Sequence, residues 1–415
     1  MQTQLVAEFA HTPEGREAEA ILRKCVHCGF CTATCPTYQL LGDELDGPRG
    51  RIYLMKQVLE GATPTRATQQ HLDRCLTCRN CESTCPSGVQ YGHLVDIGRA
   101  IVERKVERPA SERAVRWLLK EGLTSPLFGT AMALGRAVRP LLPATLKDKV
   151  PGRRHPRADQ WPQREHPRRM LMLMGCVQPA MLPNINSATA RVLDACGIQT
   201  LVADEAGCCG AIRLHLNDHD GGLADMRRNI DAWWPQVAGL GEQPPVEAIV
   251  MNASGCGVTV KDYGHALRDD PDYADKAARI SALTRDVSEL LPQLLPTLKS
   301  RLGARPAAGR LAYHPPCTLQ HGQQLKGGVE AAFRELGLDI AVAAQESHLC
   351  CGSAGTYSVL QPELSHQLRD RKLGHLGELQ PQAILSGNIG CIQHLQSGSA
   401  TPVMHWIEWL DQQLA

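Results

Sequence analysis

The chain has 415 residues, balanced charge (44 Lys and Arg against 43 Asp and Glu) and 17 cysteines. That length suits two or three domains with real cores, and the near-neutral charge removes the electrostatic case for nucleic-acid binding. No apolar run is long enough for a membrane span, and the start, Met1-Gln2-Thr3-Gln4-Leu5, lacks the basic-then-apolar order of a secretion signal, so a cytoplasmic protein rich in reduced thiols is expected.

Eight of the cysteines fall in two runs of the form C-x2-C-x2-C-x3-C-P: Cys25, Cys28, Cys31 and Cys35-Pro36, then Cys75, Cys78, Cys81 and Cys85-Pro86. This is the run by which bacterial ferredoxins hold cubane clusters, with the fourth cysteine of each run serving the other cluster. It assigns Cys25, Cys28, Cys31 and Cys85 to one [4Fe–4S] cluster, and Cys75, Cys78, Cys81 and Cys35 to a second. Structural zinc typically takes two separated pairs of ligands, a different spacing. The insert between the runs reads as helix over residues 50–59, which gives an α-helical ferredoxin-type domain over residues 1–110. Two cubanes in one fold make a relay for single electrons. His27, Arg79 and Asn80 lie inside the loops, either facing solvent or tuning potential.

Residues 111–169 follow as a helical segment and linker. Trp117, Leu118, Leu123, Leu127, Phe128, Met132 and Leu134 supply apolar positions to a helix that packs on the rest of the protein, with a membrane-surface role as the alternative. Residues 149–169 carry seven basic residues, only Asp159 and Glu165 as acids, and Pro151, Pro156, Pro162 and Pro167. Proline at that density predicts an exposed, semi-rigid linker.

The remainder repeats itself. In residues 170–300 an apolar strand runs through Gly175 into Cys176, a helix ends at Gly197, a second strand precedes Cys208-Cys209-Gly210, and a third strand (248–251) leads to Gly255-Cys256. Residues 308–415 repeat the order with Cys317, Gly337, Cys350-Cys351-Gly352 and Gly390-Cys391. Alternating strands and helices imply βαβ units and a mostly parallel sheet, with cysteines just beyond strand ends, where open α/β sheets place their ligands. The expected architecture is therefore a helical ferredoxin-like domain followed by two pseudo-symmetric α/β cysteine-rich halves. Cys176, Cys208, Cys209 and Cys256, and Cys317, Cys350, Cys351 and Cys391, are candidates for further metal or redox centres, including a third or fourth iron–sulfur cluster. The leftover Cys196 reads as a core residue.

The Cys-Cys-Gly repeat resembles the cysteine-rich domain of heterodisulfide reductases and of glycolate oxidase, glycerol-3-phosphate dehydrogenase and lactate-utilisation iron–sulfur subunits. In heterodisulfide reductase five cysteines per half, the last two as C-x2-C, hold a noncubane cluster. Here Thr259 and His394 occupy the place of the fifth, and His394 is a candidate replacement ligand. With Asp43-Glu44, Gly47-Pro48-Arg49-Gly50-Arg51-Ile52, Cys85-Pro86-Ser87-Gly88-Val89-Gln90-Tyr91-Gly92 and Asp96-Ile97-Gly98-Arg99, the chain resembles glycolate oxidase iron–sulfur subunits over nearly its whole length.

The resemblance implies an electron-transfer subunit of a glycolate dehydrogenase, an oxidoreductase acting on CH–OH with an acceptor other than NAD. FAD-binding partner subunits would oxidise glycolate to glyoxylate, and this chain, not catalytic on glycolate alone, would pass electrons towards quinone or another acceptor, with peripheral contact at the inner membrane face. No G-x-G-x-x-G fingerprint follows a strand, so no flavin is expected in this chain, and a partner must supply the flavin that splits an electron pair. A heterodisulfide-reducing catalytic subunit, an anaerobic glycerol-3-phosphate dehydrogenase subunit and a lactate-utilisation subunit are the alternatives.

Overall fold

A computed structural model describes residues 1–141, 150–152, 155–240, 243–303 and 309–414. The ferredoxin-type part is helical among its described residues, with Pro13–Lys24, Pro48–Leu59, Arg66–Asp73 and Tyr91–Lys105 as its main helices. Thr12 and Thr65 cap the first and third of these through their side chains, satisfying amide donors that a helix start leaves orphaned. Ile21, Leu22, Ile52, Met55, Leu59, Leu72, Leu94 and Val95 form the core between them.

The two halves that follow are four-stranded and wholly parallel. Strands β1 (Arg168–Met172), β2 (Ile198–Leu201), β3 (Ala248–Met251) and β4 (Thr284–Asp286) lie in the order β2-β1-β3-β4. Strands β5 (Leu311–His314), β6 (Ile340–Val342), β7 (Ala383–Ser386) and β8 (Val403–His405) lie in the order β6-β5-β7-β8. The matching registers, Met170 beside Ala248 and Leu311 beside Ala383, make the halves equivalent residue by residue. β3, β5 and β7 are buried at every position, as expected of parallel strands covered on both faces. One core runs through both halves, joining Met170, Ile185, Val192 and Val250 to Leu311, Phe333, Leu385, Trp406 and Leu410.

β4 and β8 are absent from the three-strands-per-half reading. Each is three residues long, and Thr284–Asp286 carries a single exposed Arg between Thr and Asp, so no apolar run marks it. The strand that precedes Cys350-Cys351 is also shorter than its apolar stretch, spanning Ile340–Val342.

The segment between the domains differs from expectation twice. Helices Ala110–Thr124 and Phe128–Ala137 form, but Trp117, Leu118, Leu127 and Leu134 are between 62% and 73% exposed and only Met132 is buried. The apolar spacing is that of an amphipathic helix; what should cover the apolar face lies outside this chain's described residues. Conversely, the proline-rich stretch is held on the molecule where it is described. Ala158 is buried, its carbonyl accepts from Ser187, and Arg191 donates to the carbonyls of Arg157 (2.9 Å) and Gln160 (2.7 Å). Polar anchoring of its backbone, invisible in composition, pins the middle of the expected linker, most of whose described residues are exposed or half-buried. Residues 142–149, 153 and 154, which both readings included, lie outside the described residues.

Candidate metal centres

Each ferredoxin-type loop follows directly on a helix and turns by adopting left-handed backbone. Cys25 ends Pro13–Lys24, and His27 (φ 55°) and Gly29 (φ 86°) reverse the chain so that the next cysteines come round to the same side. In the second loop Thr77 (φ 51°) and Arg79 (φ 59°) do the same without glycine, at a cost of about 1 kcal/mol each. Pro36 starts the helix Pro36–Leu41 with Cys35 as its N-cap, proline's fixed φ suiting that first position.

The eight sulfurs line two adjoining pockets. The outer, about 440 Å³ including space open to solvent, is lined by Cys25, Cys28, Cys31, Cys81 and Cys85. The inner, about 310 Å³ on the same measure, is lined by Cys35, Cys75, Cys78 and Cys81 together with Arg51 and Tyr91. Burial and the neighbouring Cys25 push the Cys31 thiol up to about 11, and burial with other sulfurs pushes Cys78 and Cys81 higher. Four thiolates in such a pocket need a bound cation, so metal entry must release protons. The donor set, four thiols per pocket around a space larger than one ion, fits an iron–sulfur cluster.

The pockets differ in electrostatics. Cys28 is exposed at the outer one, beside exposed Val26 and Phe30. At the inner one a sulfur meets donors, Tyr91 Oη to Cys75 Sγ at 3.7 Å and the Thr77 amide to Cys75 Sγ at 3.4 Å, while Thr37 Oγ1, 3.3 Å from Cys35 Sγ, gives its proton to the Asp46 carbonyl at 2.8 Å. Arg51, 1% exposed, donates to Thr37, to the His71 carbonyl at 2.7 Å and to Asp46 at 3.3 Å. Asp46 also takes Arg74 at 2.9 Å. Positive charge and hydrogen bonds to sulfur favour the reduced form of a cluster.

In the cysteine-rich halves the Cys-Cys-Gly turns have a shared construction. Gly210 (φ 94°) and Gly352 (φ 90°) donate their amides to Cys208 Sγ and Cys350 Sγ, both at 3.4 Å. A Cβ at either would stand 2.9 Å from the Gly222 carbonyl oxygen or 2.4 Å from that of Ser365, so glycine is required by both backbone and space. Cys176, Cys208, Cys209 and Cys256 form a chain of sulfurs within hydrogen-bond reach. Bonds from Cys176 and Cys209, with backbone amides, push Cys208 down to about 3. Cys317 and Cys350 stand 3.8 Å apart in the second half, with Cys351 and Cys391 continuing the chain.

His394 does not join them. Its Nε2 lies 3.1 Å from Ser365 Oγ and 3.2 Å from the Ser365 carbonyl, so the helix carrying Ser365 engages that nitrogen. Thr259 binds the Gly255 carbonyl at 3.1 Å. Cys196 is half-buried at the core edge, its thiol pushed up to about 11 by burial. Asn80 is buried rather than solvent-facing, and donates to the carbonyls of Thr34 (3.0 Å) and His348 (3.4 Å), tying the second loop to the second half. There Leu40, Leu76 and Cys78 pack against Cys317, Cys350, Tyr357, Leu364 and Leu368. Sequence reading had no means of bringing the inner pocket and the second half together, because cysteine spacing reports loops and not how domains dock.

A family profile described as "4Fe-4S dicluster domain" matches residues 21–89, and one described as "Cysteine-rich domain" matches residues 170–261 and 311–396. Fold and site thus define an iron–sulfur protein in which a dicluster domain is fused to paired cysteine-rich domains. The chain is 53% identical to the glycolate oxidase iron-sulfur subunit of Escherichia coli (strain K12), over 100% of this chain and 99% of that protein. It is 29% identical to the probable glycolate oxidase iron-sulfur subunit of Bacillus subtilis (strain 168), over 92% and 90%. Lactate utilization protein A of Geobacillus thermodenitrificans is 26% identical over 58% of this chain and 97% of its own length. The chain belongs to the glycolate oxidase iron–sulfur subunit family, and is an oxidoreductase subunit with an electron-transfer role.

Proposed function

We propose that the chain carries single electrons from a flavin-bearing partner that oxidises glycolate to glyoxylate, through two [4Fe–4S] clusters, towards a membrane quinone. The reading is supported foremost by the two thiol-lined pockets in line, one at the surface and one against the second cysteine-rich half. Cys25, Cys28, Cys31 and Cys85 would hold the outer cluster, and Cys75, Cys78, Cys81 and Cys35 the inner. When bound, these clusters supply one-electron oxidation and reduction with no open coordination site for substrate.

The residues around them give the relay a direction. Val26, Phe30 and Tyr53 expose apolar surface at the outer pocket, where a flavin partner can dock with little desolvation cost. Arg51 and Tyr91 lower the energy of an added electron at the inner pocket, drawing it inward. Cys78 then stands against Cys317 and Cys350, so the second half is the next stop. The exposed apolar face of Ala110–Thr124 and Phe128–Ala137 supports a peripheral seat on the membrane that holds the quinone; no helix among the described residues is long and apolar enough to cross one.

Cys78→Ser in the assembled complex tests this. Glycolate should still bleach the partner's flavin, while electron delivery to a quinone analogue falls at least a hundredfold and one of the two cluster EPR signals is lost. Loss of flavin bleaching as well would refute the relay.

A further inference from the structure

The two halves are equivalent strand by strand, yet differ at one position beside the cysteines. Cys317 in the second half matches Cys176 in the first, so His314, three residues before it, matches Leu173. Leu173 is a buried apolar residue following β1. His314 ends β5, is 1% exposed, and neither of its ring nitrogens has a hydrogen-bond partner among the described residues. An unpartnered imidazole in the interior forfeits the solvation of two nitrogens, unless something occupies one of them.

What lies next to it is sulfur. One ring nitrogen of His314, Cys351 Sγ and Cys391 Sγ all lie within 4.8 Å of one another, and all three residues are buried. Cys350 joins Cys351, and Cys317 lies 3.8 Å from Cys350. Ligand atoms around a tetrahedral ion with metal–sulfur bonds of about 2.3 Å sit roughly 3.5–4 Å apart, so His314, Cys351 and Cys391 are within a small side-chain movement of closing on one metal atom. Among the described residues, no three cysteines of the ferredoxin-type loops or of the first half come within that 4.8 Å limit. The ammonium of Lys372, itself buried, offsets the charge of Cys350, Cys351 and Cys317; with Ser365 set on Gly222 by their shared contact with the Cys-Cys-Gly glycine, the matching position in the first half is the uncharged Asn229.

We propose that His314 is a nitrogen ligand of a thiophilic transition metal held by the second half with Cys351 and Cys391, in a site that the first half lacks. Cys350, which touches Cys351 but stands outside that group of three, and Cys317 continue the line of sulfurs towards Cys78. The soft sulfur and imidazole donors select iron or zinc and reject magnesium or calcium. This rests on the wider reading that the Cys-Cys-Gly cysteines bind metal, and goes beyond it by naming the nitrogen ligand and the half that carries it.

The full chain, purified without oxygen, would be compared with His314→Leu and His314→Cys by counting iron and zinc per chain. His314→Leu should lose at least half of the metal held beyond the two ferredoxin-type clusters, with their EPR signals unchanged. His314→Cys should keep the metal while losing its nitrogen signature, read as nitrogen hyperfine coupling if the metal is iron, or as a nitrogen shell at the X-ray absorption edge if it is zinc. Full metal retention in His314→Leu with the wild-type spectrum would overturn the proposal and leave the wider reading standing. A wild-type chain with no metal beyond the two clusters would overturn both.

Discussion

Arg51 and Asp46 are the charged pair most deeply committed to the interior, at 1% and 0% exposure. Removing Arg51 leaves Asp46 with Arg74 at 2.9 Å and His71 at 3.1 Å, so the loss stays below the roughly 3–5 kcal/mol of a buried charge left wholly unpaired. Arg51→Gln should therefore lower the urea midpoint of the ferredoxin-type domain, and should also lower the reduction potential of one cluster while leaving the other unmoved in an EPR-monitored redox titration. Equal shifts in both would show that Arg51 acts only through folding. The glycines divide in a similar way. Gly337 (φ 80°) has open space where a Cβ would stand, with nothing within 4 Å, whereas Gly352 (φ 90°) would press a Cβ to 2.4 Å from the Ser365 carbonyl oxygen. Gly337→Ala should cost about 1–2 kcal/mol for left-handed backbone alone. Gly352→Ala should cost clearly more in the same denaturation experiment and disturb Cys350 through the lost amide geometry.

At the scale of elements, the cysteine loops and most strands were legible because each is written in local chemistry: ligand spacing in the first case, short apolar runs ending at Gly-Cys in the second. β4 and β8 were not, since strands of three residues gain their pairing only from a sheet already built. His314 also escaped notice, for a lone histidine in an apolar strand reads as core; the signal that would have found it is its alignment with Leu173. The helices Ala110–Thr124 and Phe128–Ala137 show the limit of periodicity, which marks an apolar face without saying what meets it. If a bilayer meets it, Trp117→Ser with Leu127→Ser and Leu134→Ser should abolish co-sedimentation with anionic vesicles and leave the cluster spectra intact. Undiminished sedimentation would remove the membrane from the reading.

For the molecule as a whole, docking of the ferredoxin-type domain on the first half gathers charge that sequence alone disperses. Glu17 accepts from Arg268 at 2.7 Å and lies 3.0 Å from His265, while His93 reaches Asp262 at 3.2 Å and stacks on His265 at 3.9 Å. Burial disfavours the charged form of both Glu17 and His93, but their partners outweigh it, holding Glu17 down to about 2 and raising His93 above 6.5. A raised histidine contributes stability below its unfolded value near 6.5 and loses it as pH climbs through the folded one; a depressed carboxylate contributes above about 4.5 and loses it as pH falls towards 2. This cluster therefore contributes most between about pH 4.5 and 6.5, and the difference in urea midpoint between the native chain and His93→Gln should shrink as pH climbs towards 8.

The seam of Leu40, Leu76, Tyr357, Leu364 and Leu368 has one more effect. It roofs the inner pocket with hydrocarbon, while Cys28 leaves the outer one bare. Dioxygen therefore meets the two pockets unequally, and air should bleach the chain in two phases, with the surface cage corroding first and the roofed one surviving as long as the domains stay clasped.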